Sequence, residues 1–236
     1  MRYGLFVGCN MPAHRPDVEK AIRVSMDAPE VEMVDLEGYV CCPAFGTLPS
    51  CDEIGSLACS GWNLSIAEGK GLDLMVECGS CYSSLRSARE HMAHHAEQKS
   101  EVDRLLAVAD KKYEGRATVR HITDVLYHEV GVEKIRASLE HTLEGLHAVV
   151  QYPCHTLFPS EVLGFDHPPA RPHILGDLVE ALGATVDHYS CEYMCCGGAG
   201  GFHRAAAIQA RDYARRKFEA IKQETNADLI VVSCIT

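Results

Sequence analysis

No apolar run in this 236-residue chain approaches the ~20 residues that a membrane span requires. Positive charge is not in excess either: 22 Lys and Arg stand against 33 Asp and Glu, a net charge of −11. A balance of that sign excludes a role driven mainly by phosphate contacts with nucleic acid. No secretory leader is visible, because Met1 to Cys9 holds one charge and a short apolar stretch that reads better as a first β-strand. Aromatic residues are scarce, with one Trp and six Phe, whereas cysteine is abundant at 12. The length suits one large domain or two small ones, each able to bury its own core.

Twelve cysteines amount to about 5 % of the chain, below the ~8–10 % of disulfide-held secreted scaffolds. Without a leader the expected location is the reducing cytoplasm, where thiols serve as metal ligands, catalytic groups or core residues. Two vicinal pairs occur, Cys41-Cys42 and Cys195-Cys196. A disulfide between neighbours is strained by trans peptide geometry. In a turn, such a pair can aim two thiolates at one bulky inorganic cluster, which suits iron–sulfur better than a single ion.

Aligning the two pairs exposes a tandem duplication. In the first half the strand-like run Tyr3 to Gly8 ends at Cys9, 31 residues separate Cys9 from Cys41, and 35 lie between Cys42 and Cys78-x-x-Cys81. In the second half His147 to Tyr152 leads to Cys154, 40 residues precede Cys195-Cys196, and 37 more precede Cys234. The run Leu72-Asp-Leu-Met-Val-Glu-Cys78 matches Ala227-Asp-Leu-Ile-Val-Val-Ser-Cys234. Helical spacing precedes each of these strands, through Ile54, Leu57, Ala58, Gly61, Trp62 and Ser65 in one half, and through Ala207, Ala210, Ala214, Phe218 and Ile221 in the other. Short apolar strands alternating with helices predict an α/β fold of two pseudo-symmetric βαβ-type repeats with parallel sheets. The repeats are read as 1–145, which includes a charged helical connection, and 146–236. Amphipathic stretches from Arg86 to Asp110 and from Asp124 to Glu144 make up much of that connection. Cys9, Cys78, Cys154 and Cys234 follow strands, so the thiols should gather where the carboxyl ends of parallel strands bind ligands.

For Cys9, Cys41, Cys42, Cys78 and Cys81, zinc is a poor fit because it takes four ligands. A dithiol redox pair at Cys78-Gly-Ser-Cys81 competes but leaves the other three thiols unexplained. Iron–sulfur ligation accounts for all five. The pattern C-x31-CC-x35-C-x2-C, followed by Cys154, Cys195-Cys196-Gly-Gly-Ala-Gly-Gly201 and Cys234, resembles the CCG-domain family, and within it the B-type subunits of heterodisulfide reductase, which carry two such domains. Gly8-Cys-Asn-Met-Pro12, Leu36-Glu-Gly-Tyr-Val-Cys-Cys-Pro43, Asn63-Leu-Ser-Ile-Ala-Glu68 and Tyr193-Met-Cys-Cys-Gly-Gly198 fit it as well.

The resemblance implies two noncubane [4Fe-4S] clusters, the first held by Cys9, Cys41, Cys42, Cys78 and Cys81, the second by Cys154, Cys195, Cys196 and Cys234. It implies a disulfide of the coenzyme M–coenzyme B type, cleaved between the clusters. Electrons would arrive from a ferredoxin-like iron–sulfur partner, itself supplied by a flavin subunit. Two one-electron carriers can split an S–S bond without free thiyl radicals, and exposed cluster iron is a soft Lewis acid toward sulfur. Two alternatives stay open: an electron-transfer subunit of a related sulfur-oxidising, quinone-linked or dicarboxylate-reducing complex, and a zinc-bearing scaffold without activity.

The second set has four cysteines, and the family pattern expects one more just past Thr236, so this repeat is read as truncated. The run Gly197 to Gly201 lacks phosphate-loop signatures and is expected to let backbone approach a bulky cluster and direct N–H groups at its sulfide. Cys51, Cys59 and Cys191 lack symmetric partners; Cys59 is expected in the core or partly exposed, without function, and Cys191 could be an extra ligand. His155 and His203 are candidate proton donors to a leaving thiolate. His91, His94 and His95 read as a solvated face, as do Arg204, Arg211, Arg215, Arg216 and Lys217, unless the latter attract an anionic substrate or an acidic partner.

Overall fold

A computed structural model describes residues 1–198 and 201–235. The chain divides into two compact units, Met1–His121 and Ile122–Thr236, each built around a parallel sheet.

The first unit runs β1 (Arg2–Phe6), α1 (Asn10–His14), α2 (Pro16–Asp27), β2 (Glu32–Asp35), α3 (Glu53–Gly69), β3 (Asp73–Val76), α4 (Gly79–His94), α5 (Ala96–Ala107) and β4 (Val119–His121). Its strand order is β2-β1-β3-β4, with Leu5 opposite Asp35 and Met75, and Val76 opposite His121. Leu74, Met75 and Val76 are sealed on both faces, which explains a continuous rather than alternating apolar run. Asp52 caps α3 by accepting from the Gly55 N–H at 2.8 Å, satisfying one of the helix's orphan donors. Helix α3 is buried on most of its circumference, including Ser60, Asn63, Leu64 and Ala67. Gly61 lets α5 approach, since a Cβ there would stand 3.2 Å from Val102 and 3.3 Å from Leu106. At its end, the buried Glu68 carboxylate accepts from the main-chain N–H groups of Glu114 (2.8 Å), Arg116 and Ala117 (3.2 Å). That cradle fixes the turn entering β4.

The second unit comprises α6 (Ile122–Asp124), which runs into a π-helical turn at Val125–Val130, then α7 (Val132–Ala137), β5 (His147–Gln151), α8 (Ser160–Leu163), α9 (Ile174–Ala181), β6 (Thr185–Val186), α10 (Phe202–Ala205), α11 (Ala207–Glu224) and β7 (Leu229–Val232). Strand order is β6-β5-β7, with Ala148 opposite Val186 and Leu229, and Gln151 opposite Val232. The buried Asp166 accepts from the His173 N–H at 2.9 Å and the Ile174 N–H at 2.9 Å, anchoring α9 over β5. The helical stretch between the repeats divides: α4, α5 and β4 pack with the first sheet, while Tyr127 in the π turn donates to Asp177 of α9 at 3.0 Å.

The fold is the expected repeated parallel α/β arrangement. One helix departs from its expected face. Ala210 of α11 is buried, but Phe218 is 59 % exposed, because among the described residues β7 pairs only with β5. Beside this strand, Phe218, Ile230 and Val232 border an apolar cavity of about 150 Å3.

Candidate cluster-binding sites

Each thiol of the first set leaves the carboxyl end of a parallel strand. Cys9 follows β1 and heads α1, while Cys78 follows β3 and heads α4, whose first turn carries Cys81. Cys41 and Cys42 lie in the irregular stretch after β2. The parallel register brings these ends to one edge. Gly8 must be glycine: its φ is +66°, and a Cβ would lie 3.1 Å from the Cys81 sulfur.

The vicinal-cysteine stretch is tied down by side chains of α3. Trp62 donates to the Gly38 carbonyl at 2.8 Å. Asn63 accepts from the Val40 N–H at 2.8 Å and reaches the Cys41 carbonyl at 3.5 Å. Tyr39 donates to the Gly8 carbonyl at 3.1 Å and packs edge-on against Phe6, joining this stretch to the Cys9 turn.

The five sulfurs form one connected string: Cys9 with Cys41, Cys41 with Cys42, Cys42 with Cys81, and Cys81 with Cys78. Cys42 accepts from the Cys41 and Cys81 thiols, which pulls it down to about 5. The donors go the other way; Cys41 and Cys81 rise far above the ordinary thiol value because of Cys42, with burial adding to the effect. Cys42, Cys78 and Cys81 are buried, whereas Cys9 and Cys41 are exposed. The string therefore has a sealed side and an open one.

All 12 cysteines are free thiols. Among the described residues, no group of three or more His, Cys, Asp or Glu is arranged to hold a single ion. The first donor set is all sulfur, larger than a tetrahedral ion needs, and packed so tightly that ionising one thiol holds its neighbours protonated. Five thiolates could share this space only around a polycationic core, and an iron–sulfide cluster fits that requirement.

In the second set Cys154 opens a 3-10 turn after β5, and Cys195 and Cys196 are exposed in the stretch after β6. Burial, then the charges of Cys195 and Cys196, push Cys154 up to about 11, so these three thiols are electrostatic neighbours. Cys234 lies two residues past β7. The Gly197 N–H points at the Cys195 sulfur (3.3 Å) and the Gly198 N–H at the Cys196 sulfur (3.4 Å). Gly197 has φ +84°, and a Cβ there would fall 2.6 Å from the Ala210 carbonyl. Ala199 and Gly200 of the run, and Thr236, lie outside the described residues. His203 uses Nδ1 on the Gly198 carbonyl at 2.9 Å; His155 lies in the turn that Cys154 opens.

Of the basic stripe, Arg204, Arg211, Arg215 and Arg216 are exposed, as a solvated face requires, and Lys217 alone departs from that reading. Lys217 is 5 % exposed, and Arg215 and Arg216 are paired with Asp212, each at 2.7 Å. The histidine group is engaged too, His91 bonding Gln98 at 2.7 Å and stacking on His95. Cys51 is exposed, while Cys59 is half-buried with its thiol raised by burial. Sequence reasoning missed Glu77, whose buried carboxyl has an unpartnered Oε2 and is pushed up to about 7 by burial, then by the Cys78 charge. It also missed the ties made by Asn63 and Lys217.

Fold and thiols together define a class: a duplicated parallel α/β protein with a cysteine set at the carboxyl edge of each sheet. The chain belongs to the cysteine-rich CCG domain family, which matches residues 3–86 and 148–236. A protein from Archaeoglobus profundus named as resembling the B-type subunit of heterodisulfide reductase is 43 % identical over 99 % of this chain and 78 % of its own length. The B-type subunit of the ferredoxin/F(420)H(2)-dependent CoB-CoM heterodisulfide reductase of Methanosarcina acetivorans is 34 % identical, over 99 % and 77 %. The 8-methylmenaquinol:fumarate reductase membrane anchor subunit of Wolinella succinogenes is 27 % identical over 83 % and 66 %. In fold, the chain is similar to a hypothetical protein of known crystal structure from Helicobacter pylori, with a TM-score of 0.71 at 12 % identity, covering 99 % of this chain and 41 % of that one. No helix among the described residues is long and apolar enough to cross a membrane.

Proposed function

We propose that this chain is an iron–sulfur, electron-transferring oxidoreductase subunit that reduces a disulfide of the CoM-S-S-CoB type with electrons from a partner subunit. The observation that carries the reading is the five-sulfur string of the first repeat, with a matching set at the same sheet edge of the second. Cys9, Cys41, Cys42, Cys78 and Cys81 would hold one cluster, and Cys154, Cys195, Cys196 and Cys234 the other. Noncubane [4Fe-4S] clusters supply one-electron redox chemistry and iron with an affinity for sulfur.

The chain's own part is to bind and to orient. Trp62, Asn63 and Tyr39 hold the vicinal pair of the first set against the Cys9 turn. Gly197 and Gly198 direct N–H groups at the second pair, easing the cost of negative charge there. Cys9 and Cys41 leave an open side by which a sulfur compound can approach. Reduction consumes two electrons and two protons per disulfide and yields two thiols. The electrons come from a ferredoxin-like iron–sulfur subunit, itself fed by a flavin subunit, and His155 and His203 are the proton donors. Twelve free thiols suit a reducing cytoplasm.

The likeness to a fumarate reductase subunit supports a second reading, an electron relay without a disulfide substrate. Anaerobic purification with iron and sulfide analysis tests the shared premise, and colourless protein with less than one iron per chain ends both readings. With partner subunits present, viologen-driven reduction of the heterodisulfide supports the first reading. Electron passage without thiol release supports the relay.

A further inference from the structure

The two repeats fasten their vicinal cysteines with chemically different groups. In the first, the tie from α3 is neutral, made by the Trp62 indole and the Asn63 amide. In the second, the corresponding turn of α11 presents Lys217. Its ammonium donates to the Cys191 carbonyl, to the Glu192 carbonyl at 3.1 Å and to the Tyr189 hydroxyl at 3.4 Å. Both carbonyls can only accept. The Tyr189 hydroxyl sends its own hydrogen to the Val150 carbonyl at 3.4 Å and so accepts from Lys217 as well. Three acceptors require three hydrogens, hence a charged ammonium.

That charge is buried, lying 5.3 Å from the centre of the Tyr189 ring. An ammonium out of water is expensive unless an anion faces it. Burial lowers the Lys217 pKa below its ordinary value, and the charges of Cys196, Cys191, Glu192 and Cys195, in falling order, oppose that loss. Glu192 already shares its carboxylate with His188 at 2.9 Å. Cys196 and Lys217 also line the same cavity.

We propose that Lys217 is a positioning residue that both fastens the Cys195-Cys196 turn and acts as counter-charge to the second thiol set, so the second site has a higher reduction potential than the first. This rests on the iron–sulfur reading above. Reduction adds negative charge to a cluster, and a fixed cation beside it favours the reduced form. The repeats are then alike in using cysteine ligands but unequal as electron acceptors, the second being the terminal one.

The test is a potentiometric titration of the loaded chain by electron paramagnetic resonance, in a Cys42→Ala background that leaves the second-site signal alone. Lys217→Gln keeps hydrogen-bond donors for the two carbonyls and removes the charge; Lys217→Arg keeps the charge. The expected result is a lower midpoint in Lys217→Gln, by about tenfold in the reduced-to-oxidised ratio, or about 59 mV for one electron, with Lys217→Arg close to the parent. A parent midpoint for the second site below that of the first, or an unchanged midpoint in Lys217→Gln, overturns the proposal. If Lys217→Gln loads no iron, loading restored by Lys217→Arg upholds the counter-charge, and failure of both variants overturns it in favour of a purely structural lysine. A parent chain without second-site iron instead refutes the iron–sulfur reading of that repeat, a separate outcome visible before any variant is made.

Discussion

Replacing Glu68 by alanine would remove the acceptor of three main-chain donors at once, those of Glu114, Arg116 and Ala117. Hydrogen bonds to a charged acceptor contribute ~1.5–3 kcal/mol each, and an orphaned buried donor costs ~1–3 kcal/mol. Glu114 and Arg116 are exposed, so water takes up most of their loss. Ala117 is 3 % exposed and keeps its penalty. Adding the emptied space under the turn, the expected loss is about 3 kcal/mol, which for a unit of this size is about 10 °C in Tm. The damage should travel. The turn feeds β4, whose His121 ring bonds the Glu77 carbonyl at 2.8 Å, and Glu77 adjoins Cys78. Denaturant unfolding of the metal-free chain gives the stability change, and iron analysis after reconstitution gives the reach. Glu68→Ala should lower first-repeat loading and spare the second. A stability loss under about 1 kcal/mol, or equal loss of iron from both repeats, would refute the reasoning.

Gly197→Ala forces a side chain into left-handed backbone and against the Ala210 carbonyl; a loss of about 2 kcal/mol or more and depleted second-repeat iron are expected, by unfolding and metal analysis. Asn63→Ala frees the Val40 N–H inside the first repeat, costing about 2 kcal/mol and shortening the half-life of first-site iron under chelator challenge. At His173, partial burial works against protonation, but the hydrogen bond to Asp177 and the charges of Asp166 and Asp177 prevail, so the imidazole titrates above its ordinary value. A raised value means stability present in full below about pH 6.5 and lost as pH climbs through the folded value. Urea midpoints at pH 6 and pH 8 should therefore differ more in the parent than in His173→Gln, and equal differences would contradict the assignment.

Strands β1, β3, β5 and β7 could be read from sequence because each is a short apolar run bounded by turn residues and followed by cysteine, and both sheet faces are covered where the run is unbroken. Strand β6 could not: it consists of Thr185 and Val186 alone, and β2 is half-exposed Glu-Met-Val-Asp. Helix α3 showed only a faint period since it is buried nearly all round, with Ser and Gly where α5 approaches. The π turn at Val125–Val130 left no local signature. The cysteine sets were legible as spacing, a property that survives in one dimension. The ties that set them were not, because Asn63 and Lys217 act across 22 or more residues of chain, and a lysine among four other basic residues looks like surface until its neighbours are known.

The first thiol set is lopsided, with two sulfurs facing water and three walled in. An opening that admits a sulfur reagent admits oxygen and peroxide equally, and their attack follows exposure and thiolate character. Air damage should thus begin at Cys9 and Cys41 while the inner three remain intact. A protein injured in this order keeps the harder half of its nest, so brief exposure should be repairable by thiol and ferrous iron, and only prolonged exposure final.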